Sequence, residues 1–416
     1  MSGTRILQVA HDHPDWTPGG SEIVAHDLAR ALDAREDTVA RLLVASTTLQ
    51  RPGVAGGALG AHGEDYVIQT GAYDRFSMAR LDGPAWIEAL ARVLEATGPD
   101  IVHMHGLDRI GAEVVSAVRR LAPQCRIVLT LHDYQLVCPN DGLLLTTVEG
   151  ARCMGATPEG CRRCFPEQSA ARHALRRAHL MALLAGVDRF IAPSAFLRDR
   201  FVAWGLEETR IELVPNAVAG AVAEPEAQMR ERTRRARFAF FGNIARHKGA
   251  LVLLDAATLL KRSGDDVRVT LHGGLGWTDD TFRREFEVKL RRAQPIAAHL
   301  GSYRREEVLR LMRQADWIVV PSIWWENAPL VIHEARAAGR PVICSGVGGM
   351  AELVADGVTG LHVPPGNAAA LAETMRDAAD PELWARLSAG VAPAPYSAFV
   401  DAHVRIYQSL LDRVPA

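Results

Sequence analysis

The sequence predicts an α/β protein of two domains, each built on a doubly wound parallel sheet with helices on both faces. Two series of short β-branched runs alternate with helix-like segments, which is typical of parallel sheets. Between the series lies 217–236, a run of small, then acidic, then basic residues typical of a linker. A chain of 416 residues is long enough for two hydrophobic cores.

We therefore expect a first domain over 1–216, a linker over 217–236, a second domain over 237–395 and a C-terminal helix over 396–416. Strands of the first domain are predicted at Arg5–Ala10, Val39–Val44, Asp100–Met104, Arg126–Leu131, Arg189–Ala192 and Ile211–Val214. Strands of the second are predicted at Phe238–Phe241, Val267–His272, Ile296–Leu300, Asp316–Val320, Val342–Cys344 and Gly360–Val363. The Gly/Ala-rich segment Gly53–Gly63 is predicted to be a mobile loop.

Bulk composition limits the classes of function. The chain is 48% hydrophobic and 23% charged, with a formal net charge of −2, which gives no electrostatic case for nucleic acid. The first apolar run is too short for a signal peptide, and no run approaches a membrane-spanning length. We expect a cytoplasmic protein.

The most informative stretch is 315–349, ADWIVVPSIWWENAPLVIHEARAAGRPVICSGVGG. Two β-branched runs flank a short helix that has Pro329 in its first turn and Gly339 at its C-terminal end. In such strand–helix–strand units, ligands bind at the carboxyl ends of the strands, where the helix N-terminus attracts anions. Glu326 and Asn327 fall at that position.

Glu326 and Glu334 are eight residues apart, one before the helix and one inside it. Backbone N–H groups at a helix end bind phosphate, and carboxylates accept hydrogen bonds from sugar hydroxyls. The combination indicates a nucleotide sugar as the ligand.

The order EN-A-P-L-V-I-H-E-A, followed by G-x-PVI and GG, resembles the retaining glycosyltransferases of family 4. The resemblance covers nearly the whole chain and implies the GT-B fold, in which two Rossmann-like domains face a central cleft and the last helix returns to the first domain. It also implies transfer of a sugar from a nucleoside-diphosphate sugar to a carbohydrate or lipid-linked acceptor, in cell-surface polysaccharide or glycoconjugate synthesis. That chemistry requires no cofactor.

The resemblance assigns Glu326 and His132 to orienting the sugar, and Lys248 in FGNIARHKG to the leaving diphosphate. The predicted donor-binding residues are Gly20, Asn243, Arg246, Lys248, Gly273, Tyr303, Glu326, Asn327, Ala328, Pro329, Leu330 and Glu334. Of these, Gly273 and Tyr303 are predicted from their positions, because Gly273 follows a predicted strand and Tyr303 lies in GSY. Gly20 is placed on the phosphate side by the PGGSE turn. Most relatives carry Arg where this chain has Asn243, so one expected cation is missing unless Arg246 replaces it.

Three histidines end neighbouring predicted strands of the first domain. His132 lies in TLHDY, and His103 and His105 lie in VHMHG. The resemblance places His132 on the first domain's wall of the cleft. His103 and His105 are expected to shape the same rim or to face the acceptor.

Four cysteines, Cys138, Cys153, Cys161 and Cys164, lie close together after His132, in a loop over 138–164. Cys161-x2-Cys164 is a knuckle spacing, and four thiolates make a closed structural zinc site. We expect such a site, with free thiols as the alternative.

The segment 169–186 carries a basic face of Arg172, Arg176, Arg177 and His179. Such a helix can rest on anionic headgroups, which suggests peripheral contact with the inner face of the membrane. Two other functions stay open: a GT-B nucleotide-sugar epimerase, and a non-catalytic nucleotide-sugar-binding protein. The sequence identifies neither the base and sugar of the donor nor the acceptor.

Overall fold

The computed structural model describes residues 3–47, 56–219, 234–276 and 278–412. The chain divides into two compact units. One comprises Met1–Pro215 together with Ser397–Ala416, and the other comprises Asn216–Tyr396. Most of the predicted linker, residues 220–233, lies outside the described residues.

The first unit contains an eight-stranded sheet and a small two-stranded hairpin. The large sheet has the order β10-β9-β8-β7-β1-β2-β4-β3, and all its neighbours are parallel except β3 and β4. Its strands are β1 (Thr4–His11), β2 (Thr38–Thr47), β3 (Leu59–His62), β4 (Asp65–Thr70), β7 (Ile101–His105), β8 (Arg126–Thr130), β9 (Arg189–Ala192) and β10 (Ile211–Leu213), while β5 (Tyr73–Asp74) and β6 (Ala79–Arg80) form the hairpin. The helices are α1 (Gly20–Asp33), α2 (Gly83–Thr97), α3 (Val114–Leu121), α4 (Pro158–Cys164), α5 (Ala170–Leu184) and α6 (Ala195–Trp204).

The second unit contains a six-stranded parallel sheet in the order β13-β12-β11-β14-β15-β16. Its strands are β11 (Arg237–Phe241), β12 (Arg268–His272), β13 (Ala297–His299), β14 (Trp317–Val320), β15 (Val342–Ser345) and β16 (Gly360–Val363). Its helices are α7 (Ala250–Ser263), α8 (Asp280–Ala293), α9 (Val308–Met312), α10 (Leu330–Ala337), α11 (Gly348–Leu353), α12 (Ala368–Asp377) and α13 (Pro381–Ser388). The strand order reverses between β11 and β14, so the loops after these two strands emerge side by side at one edge.

The last helix, α14 (Tyr396–Leu411), belongs to the first unit from Ser397 onward. Its buried face includes Phe399, His403 and Tyr407. Tyr407 contacts the first sheet directly, because its hydroxyl lies 3.2 Å from the side-chain amide of Gln8 in β1.

The predicted pair of doubly wound α/β domains is confirmed by the two sheets. Apolar runs such as β14 are buried along their whole length, since helices cover both faces of a parallel sheet. The prediction of a mobile loop over Gly53–Gly63 is wrong for Leu59–His62, which form β3 against β4. Antiparallel pairing with the next strand, β4, overrides the weak strand propensity of glycine and alanine there; residues 53–55 lie outside the described residues.

Candidate active site

The carboxyl edge of the second sheet holds a partly buried ion pair. Lys248, in the loop after β11, donates from Nζ to Oε1 of Glu326, in the loop after β14, over 2.8 Å. The hydroxyl of Ser322 donates to the same oxygen at 2.8 Å. Burial alone would raise the pKa of Glu326, but the charge and hydrogen bond of Lys248 hold that pKa below its ordinary value. Glu326 is therefore a charged, oriented carboxylate.

The loops that carry this pair are tied together by backbone as well as side chains. The N–H of Ile323 donates to the carbonyl of His247 at 2.9 Å, and the N–H of Gly349 donates to the carbonyl of Glu326 at 2.8 Å. A Cβ atom at Gly349 would lie 1.5 Å from the carbonyl oxygen of Asn327, so only glycine permits this approach. The GG at the start of α11 thus fixes the position of Glu326.

Glu334, inside α10, has a different environment from Glu326. Its carboxylate has no hydrogen-bonded side-chain partner within the described ranges. Burial raises the pKa of Glu334 to about 7, an effect that nearby Arg305 opposes. The carboxylate also lies close enough to Tyr303 to help burial raise the pKa of that phenol. A half-buried carboxylate without a hydrogen-bond donor is suited to a ligand that brings hydroxyl groups.

The segment between the two glutamates forms the start of α10. Asn327 and Ala328 are buried, Pro329 has extended backbone and precedes the helix, and Leu330 is its first residue. The side-chain amide of Asn216 donates to the carbonyl of Ala328 at 3.2 Å. This bond holds the backbone just before the first turn of α10, the end of a helix that carries a partial positive charge.

The loop after β12 lies beside the loop after β11. Gly273 has a φ of 151°, and a Cβ atom there would lie 1.8 Å from the carbonyl oxygen of Gly242. His272 stacks on Phe241 with ring centroids 4.4 Å apart, and Tyr303 meets Phe241 edge-on at 5.5 Å. Gly273 and Tyr303 therefore belong to the same edge of the second sheet as Lys248.

Asn243 and Arg246 bear on the question of a second cation at this edge. Asn243 is exposed. Arg246 donates to Glu285 of α8 at 2.7 Å, and its guanidinium lies 5.4 Å from the centre of the Phe282 ring. In this conformation Arg246 is held by α8, while Lys248 is the cation hydrogen-bonded to Glu326.

In the first unit, His132 follows β8 and contacts the histidine that ends β7. Its Nε2 lies 3.0 Å from Nδ1 of His105, and the two rings stack with centroids 5.2 Å apart. His103, two residues before His105 in β7, is fully buried, and its Nε2 lies 2.7 Å from the hydroxyl of Thr130. The three predicted histidines are thus brought together at the carboxyl edge of the first sheet.

A buried pair that the sequence reasoning missed lies beside the glycine turn. Nε2 of His11, at the end of β1, is 3.2 Å from Oε1 of Glu22, in the first turn of α1. A Cβ atom at Gly19 would lie 2.4 Å from Glu22 Oε2, so the turn packs directly on this carboxylate. Gly20 begins α1 next to it. The signal was present, since His11 directly follows the predicted strand Arg5–Ala10 and Glu22 follows PGGS.

The four clustered cysteines line one cavity of the first unit, and none forms a disulfide. Burial, and then the neighbouring thiols, raise the pKa of Cys161 to about 11. Among the described residues, no three of these sulfurs lie within 4.8 Å of one another. Zinc binding stays a prediction.

The predicted basic face of α5 is wrong in one position. Arg176 is buried, and it donates to the backbone carbonyls of Leu136 and Gln135 at 2.7 Å each. It therefore anchors the loop after β8, because a buried guanidinium must satisfy its donors inside the protein. Arg177 is exposed but also donates to a backbone carbonyl, that of Trp204, at 2.9 Å.

The chain matches two family models. Residues 18–219 match the model of Glycosyltransferase Family 4, and residues 223–388 match that of Glycosyl transferases group 1. The chain belongs to the family 4 glycosyltransferases. The resemblance of its E-x7-E stretch is thereby confirmed, and Glu326 and Glu334 both fall inside the second matched region.

Curated relatives match this family 4 chain over part of its length. D-inositol 3-phosphate glycosyltransferase of Paenarthrobacter aurescens (strain TC1) is 29% identical over 220 residues, which are 50% of this chain and 53% of the relative. Glycogen synthase of Mycobacterium tuberculosis (strain H37Rv) is 31% identical over 197 residues, 46% of each protein. The matches thus span about half the length of these relatives.

Solved structures match the family 4 chain over nearly its whole length. Sucrose-phosphate synthase from Thermosynechococcus elongatus has a TM-score of 0.67 at 19% identity and covers 99% of this chain and all of its own. Anabaena HepE in complex with UDP-glucose has a TM-score of 0.63 at 17% identity, covering 98% of this chain and all of its own. These similarities show a GT-B fold. No helix in the described part of the chain is long and apolar enough to cross a membrane.

Proposed function

We propose that this protein is a retaining glycosyltransferase that moves a sugar from a nucleoside-diphosphate sugar to a carbohydrate or lipid-linked acceptor. The observation that carries the proposal is the contrast between two carboxylates at one edge of the second sheet. Glu326 is charged and held by Lys248 and Ser322, whereas Glu334 is half-buried and has no side-chain hydrogen-bond donor among the described residues. Membership in family 4 supports the same activity, and we assign it to cell-surface polysaccharide or glycoconjugate synthesis.

The proposed roles follow from what each group can accept or donate. Glu334 accepts hydrogen bonds from the hydroxyls of the ribose, which supply the donors that it lacks. Glu326 accepts from hydroxyls of the transferred sugar. Lys248 holds Glu326 with one N–H and has three in total, so it can also bind phosphate oxygens. The partial positive charge at the start of α10 adds to this field.

In the reaction, the bond between the anomeric carbon and the diphosphate oxygen breaks, and negative charge grows on the diphosphate. Lys248 and the first turn of α10 stabilise that charge more strongly in the transition state than in the ground state. The acceptor hydroxyl then bonds to the anomeric carbon on the face that the diphosphate left. A diphosphate oxygen takes the hydroxyl proton, so the configuration is retained without a nucleophilic side chain. His132 completes the proposed sugar-orienting groups.

Peripheral membrane contact is a further part of the proposal for lipid-linked acceptors. With Arg176 buried, the exposed residues of α5 that support it are Arg172, Leu175 and His179. Vesicles containing anionic lipid should sediment the protein, and an Arg172→Glu change should weaken that binding.

The activity is tested by incubating the protein with UDP-, GDP- and ADP-sugars and a panel of acceptors, then measuring nucleoside diphosphate release and the glycosylated product. The anomeric configuration of the product, determined by NMR, should equal that of the donor. A changed sugar without acceptor consumption would instead identify an epimerase, and nucleotide-sugar binding without turnover would identify a binding protein.

Paired variants separate the two carboxylates. Glu326→Gln should mainly lower turnover, whereas Glu334→Gln should mainly raise the donor KM. Glu373→Gln, on the exposed face of α12, is the matched control and should change neither. Wild-type turnover in Glu326→Gln would refute the assignment of Glu326 to the sugar.

A further inference from the structure

A continuous chain of hydrogen-bonded side chains joins the last helix to His132 in the first unit. It runs in order through Thr130, His103, Tyr407, Gln8, His105 and His132. The first five are at most 3% exposed. Because water does not reach them, their hydrogen bonds must be satisfied by one another.

The contacts in this chain are short. The hydroxyl of Tyr407 lies 2.7 Å from Nδ1 of His103 and 3.2 Å from Nε2 of Gln8. Oε1 of Gln8 lies 2.7 Å from Nε2 of His105, whose Nδ1 lies 3.0 Å from Nε2 of His132. Each side chain uses one atom toward each neighbour, so the position of one hydrogen determines the next.

The rings in this chain are neutral. Burial lowers the pKa of His103 and His105 well below the ordinary value, and burial, followed by nearby His11, lowers that of His132 to about 3. A neutral imidazole has one N–H and one acceptor nitrogen. Each of the three rings is therefore in one of two tautomers.

The tautomers follow from Gln8. Its amide oxygen can only accept, so Nε2 of His105 carries the hydrogen and Nδ1 of His105 is an acceptor. His132 must then donate from Nε2, which makes Nδ1 the acceptor atom of its ring.

On its other side the Gln8 amide is hydrogen-bonded to α14. Its N–H donates to the oxygen of Tyr407, and Tyr407 uses its own hydrogen on Nδ1 of His103. His103 then donates from Nε2 to the hydroxyl of Thr130. Rotation of the Gln8 amide would reverse every hydrogen in the chain and move the hydrogen of His132 to Nδ1.

We propose that Tyr407 and Gln8 are positioning residues that hold His132 in the Nε2–H tautomer. In that tautomer Nδ1 of His132 is an acceptor. The effect on turnover rests on the proposed function, whereas the tautomer of His132 can be measured without any substrate. The proposal also gives the C-terminal helix a role in the chemistry of a residue that lies far from it in sequence.

The tautomers are measured by long-range ¹H–¹⁵N correlation spectra of protein labelled with ¹⁵N-histidine, without ligand. The chain has 15 histidines, and the signals of His132 and His105 are assigned by their loss in His132→Gln and His105→Gln. Both rings should show a protonated Nε2 and an unprotonated Nδ1. A protonated Nδ1 on His132 in the wild-type protein would overturn the proposal, whether or not the protein is a transferase.

Two substitutions test the link. Tyr407→Phe removes the acceptor of the Gln8 amide, and Gln8→Met removes the acceptor of His105 at similar volume. Each should convert His132 to a mixture of tautomers, and in an active enzyme each should lower turnover about tenfold, as expected for one buried hydrogen bond, with little change in donor KM. Tyr66→Phe, in β4 and outside this series of hydrogen-bonded side chains, is the control. Tautomers unchanged in both folded variants would overturn the proposal.

Discussion

The ammonium of Lys248 and the carboxylate of Glu326 form an ion pair at 2.8 Å that joins the loop after β11 to the loop after β14. Glu326 is 5% exposed, so its charge depends on this partner and on Ser322. The pair links stability and activity at one position, because breaking it leaves a buried carboxylate poorly compensated.

Lys248→Ala should therefore have two separable effects. Turnover should fall at least about tenfold, or ~1.4 kcal/mol, because the leaving diphosphate loses its cation. The melting temperature should also fall, since Glu326 loses its partner. Adding Glu326→Gln should restore the melting temperature without restoring turnover. Unchanged turnover in Lys248→Ala would mean that backbone groups or Arg246 are enough to stabilise the leaving diphosphate.

The pKa of Glu334, raised by burial to about 7, predicts a pH dependence of donor binding. Above pH 7 the carboxylate is charged and accepts from both ribose hydroxyls, whereas below pH 7 a proton must first be removed. Nucleotide affinity, measured by calorimetry from pH 5.5 to 8.5, should therefore increase as the pH rises through about 7. In Glu334→Gln the affinity should be weaker and should follow only the ionisation of the nucleotide. Identical profiles in the two proteins would contradict the ribose assignment.

The alternation of strands and helices could be predicted because each strand of a parallel sheet is a short buried run with a helix after it. The placement of Lys248 and Glu326 at one edge could be predicted for the same reason. The partners of these residues could not. Ser322 is one of many serines in loops. Gln8 and Tyr407 are 399 positions apart in the sequence, so no local pattern predicts their contact. Arg176 looked solvent-exposed because helical spacing does not show which carbonyls lie opposite.

The buried pair of His11 and Glu22 predicts a loss of stability in mild alkali. Burial lowers the pKa of His11, but the charge and hydrogen bond of Glu22 outweigh burial and raise this pKa to about 9. A histidine in the unfolded chain has a pKa near 6.5. Each unit by which the folded pKa differs from this value corresponds to about 1.4 kcal/mol of folding free energy. The stabilisation is therefore complete below pH 6.5 and is lost as the pH rises through about 9.

The urea midpoint of the wild-type protein should accordingly fall between pH 6.5 and 9. Glu22→Gln keeps the shape of the side chain but removes its charge, so its midpoint should be lower at pH 6.5 and should change less over this range. Parallel curves for the two proteins would show that His11 is not protonated in the fold.

We propose that Cys138, Cys153, Cys161 and Cys164 bind one structural zinc ion. All four line the same cavity as free thiols. The prediction of a loop over 138–164 is wrong at its end, because Cys161 and Cys164 lie in α4. The part before α4 is already ordered by local hydrogen bonds, such as the one from the N–H of Cys153 to the carbonyl of Leu144 at 2.7 Å. A tetrahedral ion with Zn–S distances of about 2.3 Å requires sulfurs about 3.8 Å apart. The thiols must therefore close on the ion by side-chain movement.

Metal binding should also change the chemistry of these thiols. The pKa of Cys161 is raised to about 11, so without metal it stays protonated at neutral pH, whereas a zinc ligand is a thiolate. Four thiolates fill a tetrahedral ion and leave no position for catalysis, so the ion would stabilise the loop after His132. Metal analysis of protein purified without chelator should find about one zinc per chain. Cys161→Ser should lower the zinc content and the melting temperature, whereas Cys125→Ser, at a buried cysteine outside the cluster, should leave the zinc content unchanged. A metal-free protein in which all four thiols titrate and chelator does not change the melting temperature would refute the site.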